Sequence, residues 1–458
     1  MKKLTLLIVL ALFIQATTSS QPCLPEGIIF TTQAQIDNFQ TNYPNCTEIE
    51  GDVEIIGNDI TNLNGLNVLT SFGGYLSIGN FYIGNPVLAS LTGLNNVTSI
   101  GGYLCIGHNT CLTNLSDLDN LTFIGGDIVI RSNDALASLT GLENITSIEG
   151  DLIIGDYFFG GNSSLTSLTG LDNVISIVGD LEIGYNDSLT SLTGLDNVTS
   201  IGGYLDIYNN NDLTSLMSLN NVTSIGGYLD IYGNAVLTSL SGLDNMTSIG
   251  EDLVILNNDA LTSLMGLDNV TFIGKNLWVR NNSTLTSLTG LDNVTSIGGD
   301  LEIFNNATLT SLTGLHNIDA GSISNLYIID NSLLSTCDVK SVCDYLVDPN
   351  GNISIYNNAI GCNSQEEVEE ACGVGWVPKI NFESTFSIYP NPAKKELFIS
   401  SKNGIFIKEV NIYNQVGQIV LHKKRITRTI DVSKLHQGMY IIELVLNESK
   451  IREKLIIR

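Results

Sequence analysis

The sequence predicts an all-β protein: a β-solenoid with coils of about 24 residues, followed by a small β-sandwich. Inside one copy of the repeat, residues 202–225, the apolar positions are spaced by two, three and six residues, with Gly, Asn and Asp at the breaks. No face of an α-helix fits this spacing, whereas short strands joined by tight turns do. The strand leucine returns every 24 residues, a period typical of stacked repeats, at Leu181, Leu205, Leu229, Leu253, Leu277 and Leu301.

The N-terminus predicts export. Lys2 and Lys3 precede an apolar run at residues 4–14 that is too short to cross a bilayer, so residues 1–20 are expected to be a signal peptide. No later stretch reaches transmembrane length. The mature chain is therefore expected to leave the cytoplasm.

The charges predict two bodies with different roles. Residues 379–458 carry 14 basic and 7 acidic side chains, whereas residues 21–378 carry 4 basic and 40 acidic ones. Such asymmetry favours separate modules. The acidic part would repel phosphate backbones, so nucleic acid is not an expected partner.

The solenoid is expected to occupy residues 51–330, between an N-terminal cap at 21–50 and a C-terminal cap at 331–377. Thr32 is the expected N-cap of a short helix in the first cap. Residues 378–385 are expected to be a linker. Eight cysteines in an exported chain indicate disulfides, whose connectivity the sequence leaves open. The expected pairs are Cys23 with Cys46, Cys105 with Cys111, Cys337 with Cys362, and Cys343 with Cys372.

An asparagine column is expected to stabilise the stack. Because adjacent coils lie about 4.8 Å apart, these amides can bond one another and the turn backbone. The repeated N-V-T triplets are more simply a product of the repeat than glycosylation sites. The column comprises Asn58, Asn109, Asn133, Asn186, Asn210, Asn234, Asn258, Asn282, Asn306, Asn331 and Asn358.

The opening of the solenoid resembles a known family. Cys46 stands just before a strand of the form I-x-G-x-V-x-I, and later coils read I-G-G-x-L-x-I-x-x-N and L-x-x-L-x-G-L. These motifs are similar to the receptor L domain of insulin- and EGF-type receptors, a leucine-rich-type repeat solenoid, over residues 22–375. The resemblance implies a right-handed β-helix that binds proteins or glycans and is not catalytic.

The C-terminal residues resemble a second family. Alternating blocks at residues 389–399, 410–420, 430–444 and 454–458 are separated by turn residues, which predicts an antiparallel β-sandwich. In this order they resemble the type A sorting domain of the type IX secretion system of Bacteroidetes, over residues 386–458. The resemblance implies contact with the secretion machinery, removal of the domain, and release or attachment at the cell surface.

No catalytic motif is present. The chain has 4 histidines and lacks a serine elbow, an HExxH motif, a phosphate loop and zinc-type cysteine spacing. An enzyme is therefore not expected.

Candidate binding residues lie on the outward face of the strands. Aromatic rings beside carboxylates suit sugar stacking or a protein hot spot, although aromatic residues also favour half-solvated sheets for structural reasons. The candidates are Tyr204, Asp206, Tyr208, Tyr228, Asp230, Tyr232, Trp278, Arg280 and Phe304.

Two coils carry aromatic inserts, where the leucine spacing grows to 28 and 29 residues. The first insert contains Phe81 and Tyr82, and the second contains Tyr157, Phe158 and Phe159. Tyr157 and Phe158 are candidates for ligand contact. The alternative is that the inserts fold back over a neighbouring coil.

Glu182, Asp206 and Asp230 are expected to stack as like charges about 4.8 Å apart. A calcium ion would relieve this repulsion, and so would solvent counterions. No other cofactor is expected. The whole pattern favours an exported recognition or adhesion protein that binds a protein or glycan. The alternative is a structural spacer or surface-layer component without a specific ligand.

Overall fold

A computed structural model describes residues 22–80, 82–373, 386–401, 407–424, 429–446 and 450–458. The expected signal peptide and linker lie outside these described residues. The contacts divide the chain into two compact units, with the boundary between Cys372 and Gly373.

The first unit is the predicted β-solenoid, with about 14 turns. Each turn contributes one strand to a parallel sheet, here called the long sheet, and equivalent residues pair in register, as Leu205 does with Leu229. Its strands are Ile28–Phe30, Val53–Ile55, Leu76–Ile78, Leu104–Gly107, Ile128–Arg131, Leu152–Ile154, Leu181–Gly184, Leu205–Tyr208, Leu229–Tyr232, Leu253–Leu256, Leu277–Arg280, Leu301–Phe304, Leu326–Ile329 and Ile353–Tyr356.

Short strands form a second side of the solenoid in two parallel sheets, here called the short sheets. One contains Pro22–Cys23, Glu48–Ile49, Ser71–Phe72, Ser99–Ile100 and Phe123–Ile124. The other contains Ser147–Ile148, Ser176–Ile177, Ser200–Ile201, Ser224–Ile225, Ser248–Ile249, Phe272–Ile273 and Ser296–Ile297. Among the described residues of the solenoid, 3₁₀ turns complete individual coils at Asn64–Leu66, Ser116–Leu118, Met217–Leu219 and Ala320–Ser322.

The core follows the predicted apolar spacing. Leu205 and Ile207 point inward and are fully buried, as are Leu213 and Leu216 on the return side of the same coil. Since side chains alternate along a strand, Asp206 and the other residues between these positions face outward.

A buried asparagine ladder connects the coils. The Asn210 side chain donates to Asn234 Oδ1 at 3.5 Å and to the Ile183 carbonyl at 2.9 Å, while the Asn210 backbone N–H donates to Asn234 Oδ1 at 3.2 Å. The prediction that Asn58 belongs to this ladder is wrong. Asn58 is exposed, because the preceding residue, Gly57, donates its N–H to Asn85 Oδ1 in its place.

The N-V-T asparagines have a structural role in the exposed turns. Asn197 donates to the Asp172 carbonyl at 2.6 Å, and Asn221 donates to the Asp196 carbonyl at 2.6 Å. The same bond recurs at other triplets, so these side chains link successive coils.

Both caps contain short helices. Thr32 caps Gln33–Asp37 in a capping box, and Phe39–Asn42 follows. The apolar side of these helices buries Ile36 and Phe39 completely over the first coil. At the other end, Lys340–Val347 and Gln365–Ala371 flank the last strand of the long sheet.

Three disulfides strengthen the ends of the solenoid, and they are the predicted pairs Cys23–Cys46, Cys337–Cys362 and Cys343–Cys372. The predicted Cys105–Cys111 pair is not formed. Cys105 is buried on the long sheet, whereas Cys111 is exposed beyond the corner at His108, where φ is +56°. That corner turns the chain off the sheet and separates the two thiols.

The second unit is an antiparallel β-sandwich, as predicted. One sheet contains Phe386–Tyr389, Glu396–Ser401 and Thr429–Asp431; the other contains Glu409–Tyr413, Ile419–Lys424, Gly438–Val445 and Lys450–Ile457. Both sheets bury side chains in one shared core, including Phe386, Leu397, Val410 and Ile442.

Candidate ligand-binding face

The position just before each long-sheet strand normally has a structural task. Asp151 Oδ1 accepts the Asp180 backbone N–H at 2.8 Å, and Asp252 Oδ1 accepts the Asn276 N–H at 2.8 Å. Such bonds tie one coil to the next. Tyrosine interrupts this column in two pairs of neighbouring coils, at Tyr75 with Tyr103 and at Tyr204 with Tyr228. The solenoid does not require these rings at this position.

The second of these pairs forms part of a compact surface. The rings of Tyr204 and Tyr228 stack with centroids 4.5 Å apart, and those of Tyr208 and Tyr232 stack at 4.9 Å. Asp206 and Asp230 pair in register between the two stacks. We call these six residues the tyrosine–acid patch.

The two carboxyl groups of the patch are electrostatically unusual. Burial, together with the nearby Asp230 and Glu182, raises the pKa of Asp206 to about 8. Burial also raises the pKa of Asp230 to about 7. In each aspartate, Oδ1 is buried and accepts no hydrogen bond from the described residues. The patch therefore holds two carboxyl oxygens that the described residues leave without a hydrogen-bond partner and that solvent does not reach.

Calcium finds no support in this geometry. The Tyr208 hydroxyl donates to Glu182 Oε1, and burial raises the pKa of Glu182. Nowhere in the described residues do three or more His, Cys, Asp or Glu side chains cluster to hold a metal. The Tyr208 hydroxyl stabilises the Glu182 carboxylate against the expected repulsion, whereas at Asp206 the repulsion from Asp230 and Glu182 adds to burial in raising the pKa.

Tyr208 is not the exposed contact that its position on the outward face predicts. It is only 1% exposed, because its ring lies over Gly184 and between Tyr185 and Tyr232. Tyr185 itself has a φ of +58°, at a corner where most other coils place asparagine, glycine or another small polar residue, and one places His108. A bulky residue is uncommon in this conformation, and such outliers cluster at functional sites.

The two aromatic inserts meet each other. The ring of Tyr82 packs edge-on against Phe159 with centroids 5.5 Å apart. Phe159 covers the buried guanidinium of Arg131, 4.6 Å from the ring centroid, and Arg131 also pairs with Asp156 at 3.1 Å. Phe81 lies outside the described residues.

Part of the second insert folds back and part stays exposed. Tyr157 is 61% exposed and Phe158 is 81% exposed. The ring of Tyr157 packs against that of Tyr185 with centroids 5.9 Å apart, and the ring of Tyr185 packs against that of Tyr208 with centroids 5.6 Å apart. The candidate residues of the insert are therefore connected to the tyrosine–acid patch through Tyr185, which the sequence did not single out.

Trp278, Arg280 and Phe304 are not part of the patch. The intervening strand, Leu253–Leu256, places Val254 and Leu256 between them and the tyrosines. The Arg280 guanidinium lies 4.1 Å from the Trp278 ring centroid, and its Nη2 is 2.5 Å from Glu302 Oε2. Phe304 pairs with Arg280 in register. The Arg280 guanidinium is thus partly paired within this half-buried cluster, whereas Trp278 Nε1 and Arg280 Nε are buried without a hydrogen-bond partner among the described residues.

Sequence reasoning missed a cleft nearer the N-terminus. It is lined in part by Tyr75, Tyr103 and Glu54 and has a volume of about 350 Å³. The signal was present: the G-G-Y-L segment that precedes Asp206 and Asp230 also occurs at residues 73–76 and 101–104.

Comparisons with known families agree with this architecture. Residues 387–458 match the family model described as secretion system C-terminal sorting domain. Residues 45–169 match the receptor L domain, and residues 129–258 and 205–340 match the BspA type leucine rich repeat region. No curated protein matches the chain.

None of the helices in the described part of the chain has the length and hydrophobicity needed to span a bilayer. The sorting domain is the feature of proteins that the type IX system secretes or places at the cell surface. The chain is therefore a secreted or cell-surface protein that carries a leucine-rich-type β-solenoid and a C-terminal sorting domain of the type IX system.

Proposed function

We propose that the solenoid is a non-catalytic recognition or adhesion module that binds a protein or glycan partner through the outward face of the long sheet. The sorting domain, through contact with the secretion machinery, delivers it to the outside. The observation that carries the proposal is the continuity between the tyrosine–acid patch and the exposed rings of Tyr157 and Phe158.

The chemistry of this surface suits recognition. Exposed aromatic side chains supply large contact areas at low entropic cost, which is why they dominate binding hot spots. The half-buried carboxyl groups of Asp206 and Asp230 add polar groups for hydroxyl or amide partners. The rigid stack of coils holds these groups in place before any ligand arrives, which lowers the cost of binding.

The alternative is a spacer without a specific ligand, and one observation favours it. Tyr208 is buried, and Tyr204 and Tyr228 stack on each other, so part of the aromatic surface is already satisfied within the solenoid. A spacer would tolerate replacement of every patch residue.

The test is a screen of the full chain on glycan and extracellular-protein arrays, in calcium and in chelator. Two variants carry the proposal, Tyr157→Ala/Phe158→Ala and Asp206→Asn/Asp230→Asn. The matched control is Phe123→Ala/Phe272→Ala, which removes exposed aromatic rings from the short sheets.

The proposal predicts a partner whose binding is weakened at least tenfold both by the insert variant and by the patch variant, while the control binds normally. Equal binding by all variants would place the site elsewhere. The absence of any partner for the folded wild-type chain would favour the spacer. Binding in calcium that is lost in chelator would support a calcium ion at the binding site.

A further inference from the structure

We propose that the cleft beside Tyr75 and Tyr103 is a separate binding site for an organic cation: the ammonium or guanidinium group of a basic side chain on a partner protein. This proposal does not rest on the tyrosine–acid patch. Tyr75 and Tyr204 are five long-sheet strands apart, about 24 Å at the usual strand spacing.

The cleft is built from four neighbouring strands and one insert. Its volume of about 350 Å³ is at the lower end of the range for ligand pockets, enough for one long side chain. Its lining includes Glu54, Tyr75, Tyr82, Tyr103, Cys105 and Asp127. Because these residues come from a rigid stack, the cleft exists without a ligand.

Aromatic rings form two sides of the cleft. Tyr75 and Tyr103 stack with centroids 4.4 Å apart and ring planes 10° from parallel. Tyr82 comes from the insert, where its backbone N–H donates to Asn80 Oδ1 at 2.9 Å and its ring packs on Phe159. Tyr82 is nevertheless 80% exposed, so its ring is held in position while remaining available to a ligand.

The charged groups of the cleft are all negative. Glu54 and Asp127 line it, and no lysine, arginine or histidine belongs to its described lining. Asn80 Nδ2 donates to Glu54 Oε1 at 2.6 Å, which orients that carboxylate. Arg131 lies behind this lining: it pairs with Asp156, contacts the Phe159 ring and also interacts with the Cys105 thiol, so its charge is largely engaged.

The pKa values of the two stacked tyrosines are raised mainly by burial and, to a smaller extent, by nearby carboxylates. Burial raises the pKa of Tyr75, and the carboxylates of Asp52 and Glu54 add to the effect. Burial also raises the pKa of the Tyr103 phenol. A negative charge is therefore disfavoured here.

A cation would interact with both the aromatic rings and the carboxylates of the cleft. Ring faces attract ammonium and guanidinium groups, and a carboxylate within hydrogen-bond reach strengthens the contact. The aliphatic stem of lysine or arginine packs on the apolar edge of the site. A neutral sugar would stack on the rings but would leave Glu54 and Asp127 without a countercharge.

The test uses the full chain and saturation-transfer NMR, with irradiation of the aromatic protons. The probes are Nα-acetyl-lysine methylamide, its uncharged analogue Nα-acetyl-norleucine methylamide, and methyl β-glucoside. The variants are Glu54→Gln, Tyr75→Leu/Tyr103→Leu and Tyr75→Phe/Tyr103→Phe. Tyr327→Leu, an outward residue of a distant strand, is the control.

The lysine probe is expected to receive saturation at its ε-methylene and to bind at least tenfold more tightly than the norleucine probe. Glu54→Gln should weaken binding of the lysine probe at least fivefold, and Tyr75→Leu/Tyr103→Leu should abolish it. The Tyr75→Phe/Tyr103→Phe variant should bind the probe within twofold of the wild type. Tyr327→Leu should change nothing. Circular dichroism shows whether each variant is folded. If the Tyr75→Leu/Tyr103→Leu variant does not fold, the near-isosteric Glu54→Gln variant still decides the test.

Equal binding of the norleucine probe would overturn the proposal in favour of a plain apolar cleft. Binding of the glucoside alone would overturn it in favour of a sugar site. Lysine binding that survives both Glu54→Gln and loss of the tyrosines would place the cation elsewhere. None of these variants touches the tyrosine–acid patch, so the outcome is independent of the proposed function.

Discussion

The ring of Tyr208 lies over Gly184 of the neighbouring coil, so closely that a Cβ added at Gly184 would stand 2.2 Å from Tyr208 Cζ. The missing side chain lets the ring lie flat, become buried and direct its hydroxyl to Glu182. Tyr208 is thus the buried member of the tyrosine–acid patch, while Tyr232, which stacks on it, is half-buried.

Replacing Gly184 by alanine should displace this ring. Inserting a methyl group into a packed site usually costs about 1–3 kcal/mol. We expect a loss of stability of that order in chemical denaturation, together with weaker partner binding. Gly107→Ala is the matched control, because the same column position there leaves 3.2 Å to the nearest atom, the Asn80 carbonyl oxygen. Equal losses in both variants would contradict the role assigned to Gly184.

The carboxyl pair should make stability fall as pH rises. Free aspartate ionises near pH 3.9, whereas the folded-state pKa is raised to about 8 for Asp206 and to about 7 for Asp230. The folded state therefore binds more protons between these limits. The stabilisation is complete below about pH 4 and is lost as pH rises through 7 and 8.

Asp206→Asn/Asp230→Asn removes this titration. The difference in unfolding free energy between variant and wild type should shift in the variant's favour by several kcal/mol from pH 5 to pH 9, up to about 7 kcal/mol for the two carboxyl groups together. Denaturation curves of both proteins across this range measure it. A difference that stays constant with pH would show that the two carboxyls titrate normally.

Substitutions at two neighbouring residues of the second insert, Phe158 and Phe159, should have different effects on stability and on partner binding. Phe159→Ala removes the ring that covers Arg131 and contacts Tyr82, so we expect a loss of about 3 kcal/mol, the scale for deleting a packed aromatic side chain. Phe158→Ala, next to it but 81% exposed, should change stability by less than about 0.5 kcal/mol and weaken partner binding instead. Thermal unfolding and binding of the two variants test this; the reverse pattern would show that Phe158 is the structural residue.

The cysteines give a chemical test of the fold. With three disulfides among eight cysteines, titration of the denatured, unreduced chain with a thiol reagent should find two thiols. In the native protein only Cys111 should react quickly, because Cys105 is buried and burial raises its thiol pKa. Fewer than two thiols would indicate the Cys105–Cys111 bond that the structure lacks.

What the sequence predicts well is what every coil repeats. The inward position of Leu205, the pairing of Asp206 with Asp230 and the asparagine ladder all follow from one period, because each coil meets an identical neighbour. The two caps were predictable for a related reason: Thr32 and the paired cysteines mark where the repetition ends.

What the sequence predicts poorly depends on differences between neighbouring coils. Tyr208 is buried because its neighbour is Gly184, and Trp278 is separated from the patch because Val254 lies between Trp278 and Asp230. The contact of Tyr82 with Phe159 joins two inserts that are far apart in the chain. Each of these contacts occurs once in the chain, so the repeat period does not predict it.

The most direct test of the central claim is hydroxyl-radical footprinting of the full chain, alone and with the partner that the array screen identifies. Aromatic side chains report their own exposure in this experiment. Binding through the outward face predicts protection of Tyr157, Phe158 and Tyr232, with Phe123 and Phe272 on the short sheets unchanged. Protection of Phe123 and Phe272 alone would contradict the account and move the binding site to the short sheets.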